Sequence, residues 1–383
     1  MKYPVYMDYN ATTPLDGEVL EAMLPYLTEH FGNSASRFHA YGWKAAEAVS
    51  IARQQVADLL GASEKEIVFT SGATESVNLA IKGVYEASAK KGNHIITVET
   101  EHKAVLDTCQ HLEKSGAEVT YLPVDAEGNI DLGMLENSIR PTTILISVMA
   151  ANNEIGVLYP LKAIAEIAHK HHILFHTDAT QAVGKLPIDV IADQIDLLSL
   201  SAHKLYGPKG VGALYIRKKL NIIAQQDGGK HERGLRSGTL NVAGIVGLGN
   251  ACEICQQIMT EEAIRLGGLR DSLEKGILEA IPEARVNGTT AHRLPNTSNI
   301  CFGKIDGEQL LMSLNEIAVS NGSACNSAST EPSYVLKALG LDDDSAYGSI
   351  RFSLGRMTTQ EDVDLAIRHI AEVVQRMKNV RVF

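Results

Sequence analysis

The sequence predicts an α/β protein: a mostly parallel sheet flanked by helices, together with a smaller α+β domain. Between about residues 45 and 216, short apolar segments alternate with amphipathic helical segments, which is the pattern of a parallel sheet covered on both faces. From about residue 258 the alternation stops, and long helical segments enclose short strand-like pieces. A chain of 383 residues exceeds what one hydrophobic core usually serves. We therefore expect a large domain over 15–257 and a small domain formed by 1–14 with 258–383.

The individual elements follow from the spacing of their apolar residues. In the helix AEAVSIARQQVADLLG, Val49, Ala52 and Val56 form one stripe and Gly61 is the C-terminal stop. Later helices are expected in SVNLAIKGVYEASAKKG, DLGMLENSIR, LKAIAEIAHKHH, TEEAIRLGGLRDSLEKGILEAI and TQEDVDLAIRHIAEVVQRMKN. Strands are expected in the short apolar runs EIVFT, HIITVET, TILISVM, ILFHTDA, DLLSLSA and VGALYI, and in NTSNICF and SIRFSL of the small domain.

Charge and cysteine content restrict the partners and the compartment. Lys and Arg total 35 against 46 Asp and Glu, a net charge of -11, which argues against a general nucleic-acid or membrane-surface binder. The N-terminus MKYPVYMDYNATTP lacks the apolar run of a signal peptide, and no apolar run approaches the roughly 18 residues of a membrane span. The 5 cysteines are an odd number spread along the chain. This usage fits a reducing cytoplasm, so we expect a cytoplasmic protein.

Polar residues follow the predicted strands at the point where each strand ends. In open parallel sheets, ligands bind outside the carboxyl ends of the strands. Helix caps and satisfied turn residues are the ordinary alternative, but so many at one sheet edge favour a binding site. The candidate site residues are Thr74, His102, Asn153, Asp178, Gln181, Ser201, His203 and Lys204.

The first of these strand ends has the character of a phosphate site. EIVFTSGATES reads as a strand, a glycine-containing turn and a helix start, and backbone N–H groups at a helix N-terminus bind anions. Ala73 and Thr74 lie where a phosphate would dock. The segment is neither a Walker motif nor GxGxxG, and alone it is equally well explained as a plain strand-to-helix turn.

Lys204 and Asp178 together match what pyridoxal phosphate requires. A lysine at the end of a buried strand is costly to desolvate unless it has a partner or a task. The cofactor needs an amine for a Schiff base and a carboxylate that keeps its pyridine nitrogen protonated. His102 could lie on the ring or move protons. Taken singly, Asp178 could instead be a helix cap, and His102 a satisfied structural histidine.

Motifs along the whole chain resemble the bacterial cysteine desulfurases of the IscS/NifS type, which are fold-type-I pyridoxal-phosphate enzymes of the class-V aminotransferase group. The similarity runs from residue 5 to about 380, with the motifs in the family's order. They are YMDYNATTPLD, FTSGATESVNLAIKG, TEHKAVLDTC, ANNEIGV, HTDATQAVGKLPID, SAHKLYGPKGVGALYIR, HERGLRSGTLN, NGSACNSAS and SIRFSLGR.

The resemblance implies a role for each candidate residue. Lys204 would hold the cofactor as a Schiff base, Asp178 would pair with its ring nitrogen, and His102 would stack on the ring as acid and base. The phosphate would be held by Thr74, Ser201 and His203, the ring oxygen by Gln181, and Asn153 would lie near the cofactor and the substrate carboxylate. Thr239, in HERGLRSGT, matches a residue that reaches the phosphate from the neighbouring subunit. A homodimer with shared sites is therefore implied.

Arg351 matches the family residue that clamps the substrate carboxylate, a task suited to a bidentate guanidinium. In SIRFSLG, Ile350, Phe352 and Leu354 alternate with Arg351 and Ser353, so we expect Arg351 to point away from the apolar face. Without the resemblance, a surface salt bridge would be the more common role for such an arginine.

Cys325 matches the family's sulfur-accepting nucleophile. It lies among Gly, Ser, Asn and Ala in AVSNGSACNSASTEPS, a composition that predicts a mobile loop over about 320–332. The resemblance implies that L-cysteine becomes L-alanine while its sulfur forms a persulfide on Cys325. An iron–sulfur scaffold protein and other sulfur acceptors would be transient partners, with tRNA thiolation as a further destination. Through the scaffold, Cys325 is also a candidate transient metal ligand of an iron–sulfur cluster.

The chain departs from the family pattern at two loop positions and at its end. Asn321 and Asn326 stand where family members have serine and threonine, which could alter loop dynamics or acceptor choice. The sequence stops at NVRVF, before a tail through which some relatives dock a scaffold, so docking by that route is not expected.

Two other functions remain open from the sequence. An aminotransferase would keep full turnover when Cys325 is replaced by alanine. A non-catalytic sulfur-carrier or scaffold-binding subunit would carry no lysine-bound chromophore, and the set of Lys204, Asp178 and His102 argues against it.

Overall fold

The computed structural model describes residues 4–303, 305–322 and 331–380 of the chain. In chain order the strands are β1 (Val5–Tyr6), β2 (Ile67–Thr70), β3 (His94–Val98), β4 (Glu118–Leu122), β5 (Thr143–Ser147), β6 (Leu174–Asp178), β7 (Leu197–Ser201), β8 (Gly212–Ile216), β9 (Arg285–Val286), β10 (Thr297–Cys301), β11 (Ile317–Ala318) and β12 (Ser349–Ser353). The helices are α1 (Gly17–Thr28), α2 (Ala40–Leu60), α3 (Ala73–Ala87), α4 (Lys103–Glu113), α5 (Leu132–Asn137), α6 (Leu161–Lys170), α7 (Val242–Ala280), α8 (Gly307–Ser313), α9 (Tyr334–Ala338), α10 (Asp343–Tyr347) and α11 (Gln360–Val380).

The central sheet has seven strands in the order β2-β8-β7-β6-β5-β3-β4. Its strands pair in parallel from β7 through β6, β5 and β3 to β4, whereas β8 runs antiparallel to both β2 and β7. The predicted class, a mostly parallel sheet flanked by helices, is confirmed. In a sheet of this kind the carboxyl ends of the parallel strands share one edge, and the candidate site residues follow those ends.

Helices cover both faces of the central sheet because its strands are apolar on both sides. All residues of β2, β3, β5, β7 and β8 are buried. One core lies between the sheet and α2, α6 and the first half of α7, and it includes Val56, Phe175 and Leu248. The other lies under α3 and α4 and includes Ile81 and Cys109. Loops at the carboxyl edge are therefore held by a sheet that is rigidly packed on each side.

A separate core underlies the later part of the chain. It joins the second half of α7 and α11 to β10 and β12, with Leu273, Phe352 and Ile370 among its members. The N-terminal residue Met7 belongs to this core, and β1 pairs in parallel with β11. The N-terminal segment therefore packs against the later part of the chain before it reaches the central sheet.

Helix α7 is longer than the sequence indicated. It runs without a break over 39 residues, so the predicted domain boundary at 257/258 falls inside one helix. Its first half packs in the core of the central sheet, through Leu248 and Cys252, and its second half packs in the later core, through Leu269 and Leu273. The two-domain division stays a prediction.

Several elements were absent from the sequence prediction, among them α1, α4 and β4. Helix α1 is amphipathic and is capped by Asp16, whose side chain accepts from the Glu18 N–H. Strand β4 is an edge strand with mostly half-exposed side chains, so it lacks the continuous apolar run by which the other strands were found. Within the described part of the chain, none of the helices combines the length and the apolar character of a membrane span.

Candidate active site

A cavity of about 450 Å³ opens at the carboxyl edge of the central sheet. It brings together residues that lie far apart in the sequence, from the N-terminal segment to β12. Ten of the residues that the sequence singled out line this cavity, namely Ala73, Thr74, His102, Asn153, Asp178, Gln181, Ser201, His203, Lys204 and Arg351.

The turn between β2 and α3 forms one end of the cavity. Gly72 precedes α3 and has a φ of 153°, a backbone conformation that favours glycine. Gly212 of β8 approaches it so closely that a Cβ on Gly212 would lie 2.7 Å from the Gly72 Cα. Two adjacent glycines therefore leave a cradle in front of the first N–H groups of α3, which is a 15-residue helix and suits an anion at its N-terminus.

Lys204 lies in a short 3-10 turn directly after β7. Its Nζ donates to the backbone carbonyl oxygens of Ala11, at 2.8 Å, and of Asn10. The neighbouring His203 is fixed at its backbone carbonyl oxygen, which accepts from the N–H of Thr13 at 3.0 Å and from the Thr13 hydroxyl at 3.1 Å. The N-terminal segment thus lies over the lysine and holds its amine within the cavity.

Asp178 ends β6 and is 6% exposed. Its Oδ1 accepts from the Thr180 N–H at 3.0 Å, which is the local turn contact that an aspartate at a strand end can make. A second carboxyl group lies nearby and was not predicted. Burial, and then the charge of Asp178, raise the pKa of Glu101 well above its ordinary value. The Glu101 Oε1 accepts from the Met149 N–H at 2.5 Å.

His102 is the N-cap of α4. Its Nδ1 accepts from the Ala104 N–H at 3.1 Å, so a neutral ring carries its proton on Nε2. The capping role that the sequence offered as an alternative for Asp178 thus belongs to His102. This contact orients the His102 ring, which lines the cavity, through Nδ1.

Gln181 and His203 are both tied to the N-terminal segment. The Gln181 Nε2 donates to the Asn10 carbonyl oxygen at 3.0 Å. The His203 Nδ1 lies 3.1 Å from the Thr12 Oγ1. Burial, and then the nearby Lys204, lower the pKa of His203 to about 4, so this imidazole is neutral at physiological pH.

Arg351 is 1% exposed, and the alternative of a surface salt bridge is wrong. Its Nη2 lies 2.6 Å from the Asp8 Oδ1, and its Nη1 donates to the Asn153 carbonyl oxygen at 3.0 Å. The residue reaches the cavity because β12 is buried on both faces, one against the later core and one against the site. A buried guanidinium that lines a cavity is suited to bind a carboxylate in two hydrogen bonds.

Asn153 is 6% exposed, and its backbone and side chain serve different partners. The backbone carbonyl oxygen accepts from Arg351 and, at 3.2 Å, from the Asn10 Nδ2. The side-chain Oδ1 is buried and has no hydrogen-bond partner among the described residues. A buried acceptor without a partner on a cavity wall indicates a polar ligand there.

Sequence reasoning missed the residue that connects these groups. Asn10 is 1% exposed and contacts both β10 and the residues that follow β6 and β7. Its side chain donates to the Thr297 Oγ1 at 2.8 Å, and its carbonyl oxygen accepts from Lys204 and Gln181. The signal was present in YMDYNATTPLD, but the sequence alone did not indicate that this segment crosses the carboxyl edge of the sheet.

Among the described residues, one predicted site residue does not line the cavity. Thr239 is exposed and is not among the lining residues, and its contact with a neighbouring subunit stays a prediction. Cys325 and the core of the predicted loop lie outside the described residues. Among the residues that are described, no cluster of three or more His, Cys, Asp or Glu side chains is arranged to hold a metal ion.

A model of the family described as Aminotransferase class-V matches residues 5–365. This chain belongs to that family. The cysteine desulfurase IscS of Anaeromyxobacter dehalogenans is 54% identical over 382 residues, which cover 99% of this chain and 95% of that protein. The cysteine desulfurase IscS of Photorhabdus laumondii is 57% identical over 384 residues, with the same shares covered.

Solved structures give the same result for the fold. A structure described as a NifS-like protein superposes with a TM-score of 0.92 at 41% identity, over 97% of this chain and 100% of that chain. A structure described as SspA in complex with cysteine superposes with a TM-score of 0.81 at 40% identity, over 91% of this chain and 98% of that chain. The fold-type-I prediction is confirmed, and the protein is an enzyme that uses pyridoxal phosphate.

The residues of the cavity fit that cofactor. The glycine cradle before α3 leaves room for a phosphate at the helix N-terminus. Lys204 offers an amine and Asp178 a carboxylate to the same cavity. The buried Asn153 Oδ1, which has no hydrogen-bond partner among the described residues, can accept from a polar ligand. Pyridoxal phosphate needs three groups from a protein, namely an anion site for its phosphate, an amine and a carboxylic acid, and the cavity offers all three.

Proposed function

We propose that the protein is a cysteine desulfurase, which converts L-cysteine and the thiol of Cys325 into L-alanine and a persulfide on Cys325. The Cβ–S bond of the substrate breaks, an S–S bond forms, and one thiol proton is transferred to the new methyl group, so the reaction balances. The observation that carries the proposal is that Lys204 and the buried Arg351 line one cavity, in a chain 54% identical to a cysteine desulfurase over nearly its whole length.

We assign the central chemistry to Lys204, Asp178 and His102. When bound, pyridoxal phosphate supplies an electron sink that makes the α-proton of an attached amino acid acidic. Lys204 would hold the cofactor through its amine, and Asp178 would pair with the ring nitrogen and keep it protonated. Because the His102 Nδ1 is engaged by the Ala104 N–H, its Nε2 would exchange protons with the substrate.

The remaining residues of the set would bind the ends of the cofactor. Ala73, Thr74, Ser201 and His203 would hold the phosphate, and Gln181 would donate to the ring oxygen. Thr239 would reach the phosphate of the neighbouring subunit in a homodimer. Support for a dimer comes from a group of apolar side chains that are exposed in the single chain, including Leu27, Phe31, Phe38, Tyr41 and Trp43, at 55% to 95% exposure.

Arg351 and Asn153 would select the substrate. The Arg351 guanidinium would bind the substrate carboxylate, and the Asn153 Oδ1 would accept from a polar group of the cofactor or the substrate. Asp8 already occupies one nitrogen of Arg351, at 2.6 Å. This carboxylate orients the guanidinium and balances its charge inside the protein.

Cys325 would pass its sulfur to an acceptor outside the enzyme. We propose an iron–sulfur scaffold protein as the main acceptor, and thiolated tRNA as a further destination. Through the scaffold, Cys325 would be a transient ligand of the nascent cluster. The enzyme would work in the cytoplasm, because Cys109, Cys252, Cys255 and Cys301 are free thiols in the described structure.

The test gives L-cysteine to the purified enzyme loaded with cofactor and measures alanine and sulfide in the presence of a thiol reductant. Wild type should release both products in equal amounts. Lys204→Ala should release neither, whereas replacement of the exposed Lys162 by alanine should change nothing. Full activity of Cys325→Ala, together with exchange of an amino group onto a keto acid, would establish the aminotransferase alternative instead.

A further inference from the structure

A second lysine, Lys185, lies behind the wall of the cavity. Its Nζ donates to the Gln181 Oε1 at 2.8 Å and to the Asn10 Oδ1 at 3.3 Å, and both partners are uncharged. The chain turns at Gly184, which directly precedes Lys185 and has a φ of 77°. A Cβ on Gly184 would lie 3.0 Å from the Cys255 Sγ and from the Leu205 Cβ. The lysine is thus directed into the protein, although long lysine side chains usually extend to water.

The contact with Lys185 decides which end of the Gln181 amide faces the cavity. A side-chain amide has an acceptor oxygen and a donor nitrogen, whereas an ammonium group only donates. Lys185 therefore holds Oε1 toward itself, and the NH₂ group of Gln181 is left to donate in the other direction. In this structure it donates to the Asn10 carbonyl oxygen at 3.0 Å, beside the amine of Lys204.

Asn10 is oriented by the same lysine. Its Oδ1 receives Lys185 and, at 3.2 Å, the Asn296 Nδ2. Its Nδ2 therefore points the other way and donates to the Asn153 carbonyl oxygen and to Thr297. With the side chain fixed at both ends, the Asn10 backbone carbonyl stays directed at Lys204 and Gln181.

The charges around the half-buried Lys185 are unusual for a cation. Burial, and then the cations Lys204 and Arg351, lower its pKa to about 7, while Cys255 and Glu262 on α7 act in the opposite direction. The lysine thus shares one region with two other cationic groups. A bound anion in the cavity would favour its charged form.

We propose that Lys185 is a positioning residue of the active site, which orients the Gln181 and Asn10 amides so that the Gln181 NH₂ group is presented to the ring oxygen of the cofactor. The inference rests on the proposed role of Gln181. In its charged form Lys185 also places a positive charge near the Lys204 nitrogen, which disfavours protonation of that nitrogen. A lysine with a purely structural role would affect neither the cofactor nor Lys204.

The test follows the visible absorbance of the cofactor in Lys185→Met and in wild type. Without its donor, the Gln181 amide can turn over, so we expect the cofactor to dissociate about fivefold faster, as for the loss of one hydrogen bond. The absorbance also reports protonation of the Lys204 nitrogen that holds the cofactor. The pH midpoint of that protonation should rise in Lys185→Met, because one nearby positive charge is removed. Lys185→Gln keeps a donor but has no charge, so its cofactor dissociation rate should lie between those of wild type and Lys185→Met. This variant replaces Lys185→Met in the test if the methionine variant does not fold. Lys162→Met, on the exposed face of α6, is the matched control.

A double-mutant cycle separates positioning from a structural role. If Lys185 acts through Gln181, then Lys185→Met should accelerate cofactor dissociation no further in a Gln181→Met background. Additive effects, or an unchanged dissociation rate and pH midpoint in Lys185→Met, would overturn the inference. A wild-type protein that binds no visible cofactor would instead refute the proposed site, so the two failures are distinguishable.

Discussion

The hydroxyl group of Tyr334 donates a hydrogen bond to the backbone carbonyl oxygen of Glu101 at 2.6 Å. One residue earlier, the Ser333 hydroxyl donates to the Glu154 Oε2 at 2.5 Å. Glu101 precedes His102 in the chain, and Glu154 follows Asn153. The described residues that follow the Cys325 segment are therefore tied to the loops that carry His102 and Asn153, for which we propose roles in proton transfer and substrate binding.

Loss of the Tyr334 hydroxyl should impair sulfur transfer more than cofactor binding. Tyr334→Phe removes the bond to Glu101, worth about 0.5–1.5 kcal/mol, but keeps the ring beneath Lys103, whose Nζ is 4.9 Å from the ring centroid. We expect persulfide formation on Cys325 to slow several-fold while the cofactor spectrum is unchanged. Tyr121→Phe, which removes an exposed bond to Glu113, is the control. Equal rates in the two variants would show that this contact is not used.

Arg351→Lys should weaken binding of the substrate carboxylate. The substitution keeps the charge but loses the planar, bidentate donor, at a cost of about 1.5–3 kcal/mol for a hydrogen bond to a charged group. We expect KM for L-cysteine to rise about ten- to a hundredfold, with a smaller change in kcat. Arg293→Lys changes another buried arginine, paired with Glu274, and should leave KM unaltered. A normal KM in Arg351→Lys would remove Arg351 from the substrate site.

Two glycine substitutions should have opposite effects. In Gly212→Ala the new Cβ would lie 2.5 Å from the Leu200 carbonyl oxygen and 2.7 Å from the Gly72 Cα, so the phosphate cradle must distort at a cost of about 1–3 kcal/mol. Cofactor affinity should fall. Gly268→Ala lies in α7 with no atom near the new Cβ, and it should stabilise the protein by about 0.5–1 kcal/mol. Calorimetry with and without cofactor measures both effects, and unchanged affinity in Gly212→Ala would exclude the cradle.

Acid should destabilise the protein partly through His176. Burial lowers the pKa of this residue from 6.5 to about 4, and its ring nitrogens lie 2.8 Å from the Ser147 Oγ and 3.0 Å from the Ser199 Oγ. Between these two pH values the unfolded chain binds a proton that the folded chain does not. Stability therefore falls as the pH drops through this window, by about 3 kcal/mol at 1.36 kcal/mol per pKa unit.

The measurement for this prediction is the denaturant midpoint between pH 7 and pH 4. His176→Gln can contact both serines but cannot take up a proton, so its stability should depend less steeply on pH. His292→Gln changes an exposed histidine and should follow wild type. Parallel curves for all three proteins would contradict the assignment. His94 and His203 are lowered in pKa to about 4 as well, so some acid sensitivity should persist in His176→Gln.

Local patterns predicted the residues that follow strands but not the segments that cross the sheet. Asp178, Ser201 and Lys204 were found because each ends a continuous apolar run, and parallel strands bring those ends together. Asn10 and Asp8 were missed because their side-chain partners are distant in the sequence, 143 residues or more for Asn10 and 343 residues for the contact of Asp8 with Arg351, and no periodicity relates them. Lys185 was missed for a different reason. Its hydrogen bonds are to the uncharged side-chain amides of Gln181 and Asn10, and no sequence motif indicates such contacts.

Burial of charge was the hardest property to predict. Arg351 lies in a short strand whose alternation is visible in the sequence, yet the face opposite to its apolar neighbours is an internal cavity and not water. Glu101 adjoins a motif histidine, but its pKa is raised by burial and then by Asp178 from another strand. Such environments arise only from the packing of distant elements.

The most direct test of the central claim is the mass of the peptide that contains Cys325 after a single turnover with L-cysteine. The peptide should gain one sulfur atom in step with alanine formation, in wild type and not in Lys204→Ala. Alanine formed at the wild-type rate by Cys325→Ala, with no sulfur added to Cys325 in the wild-type enzyme, would contradict this claim.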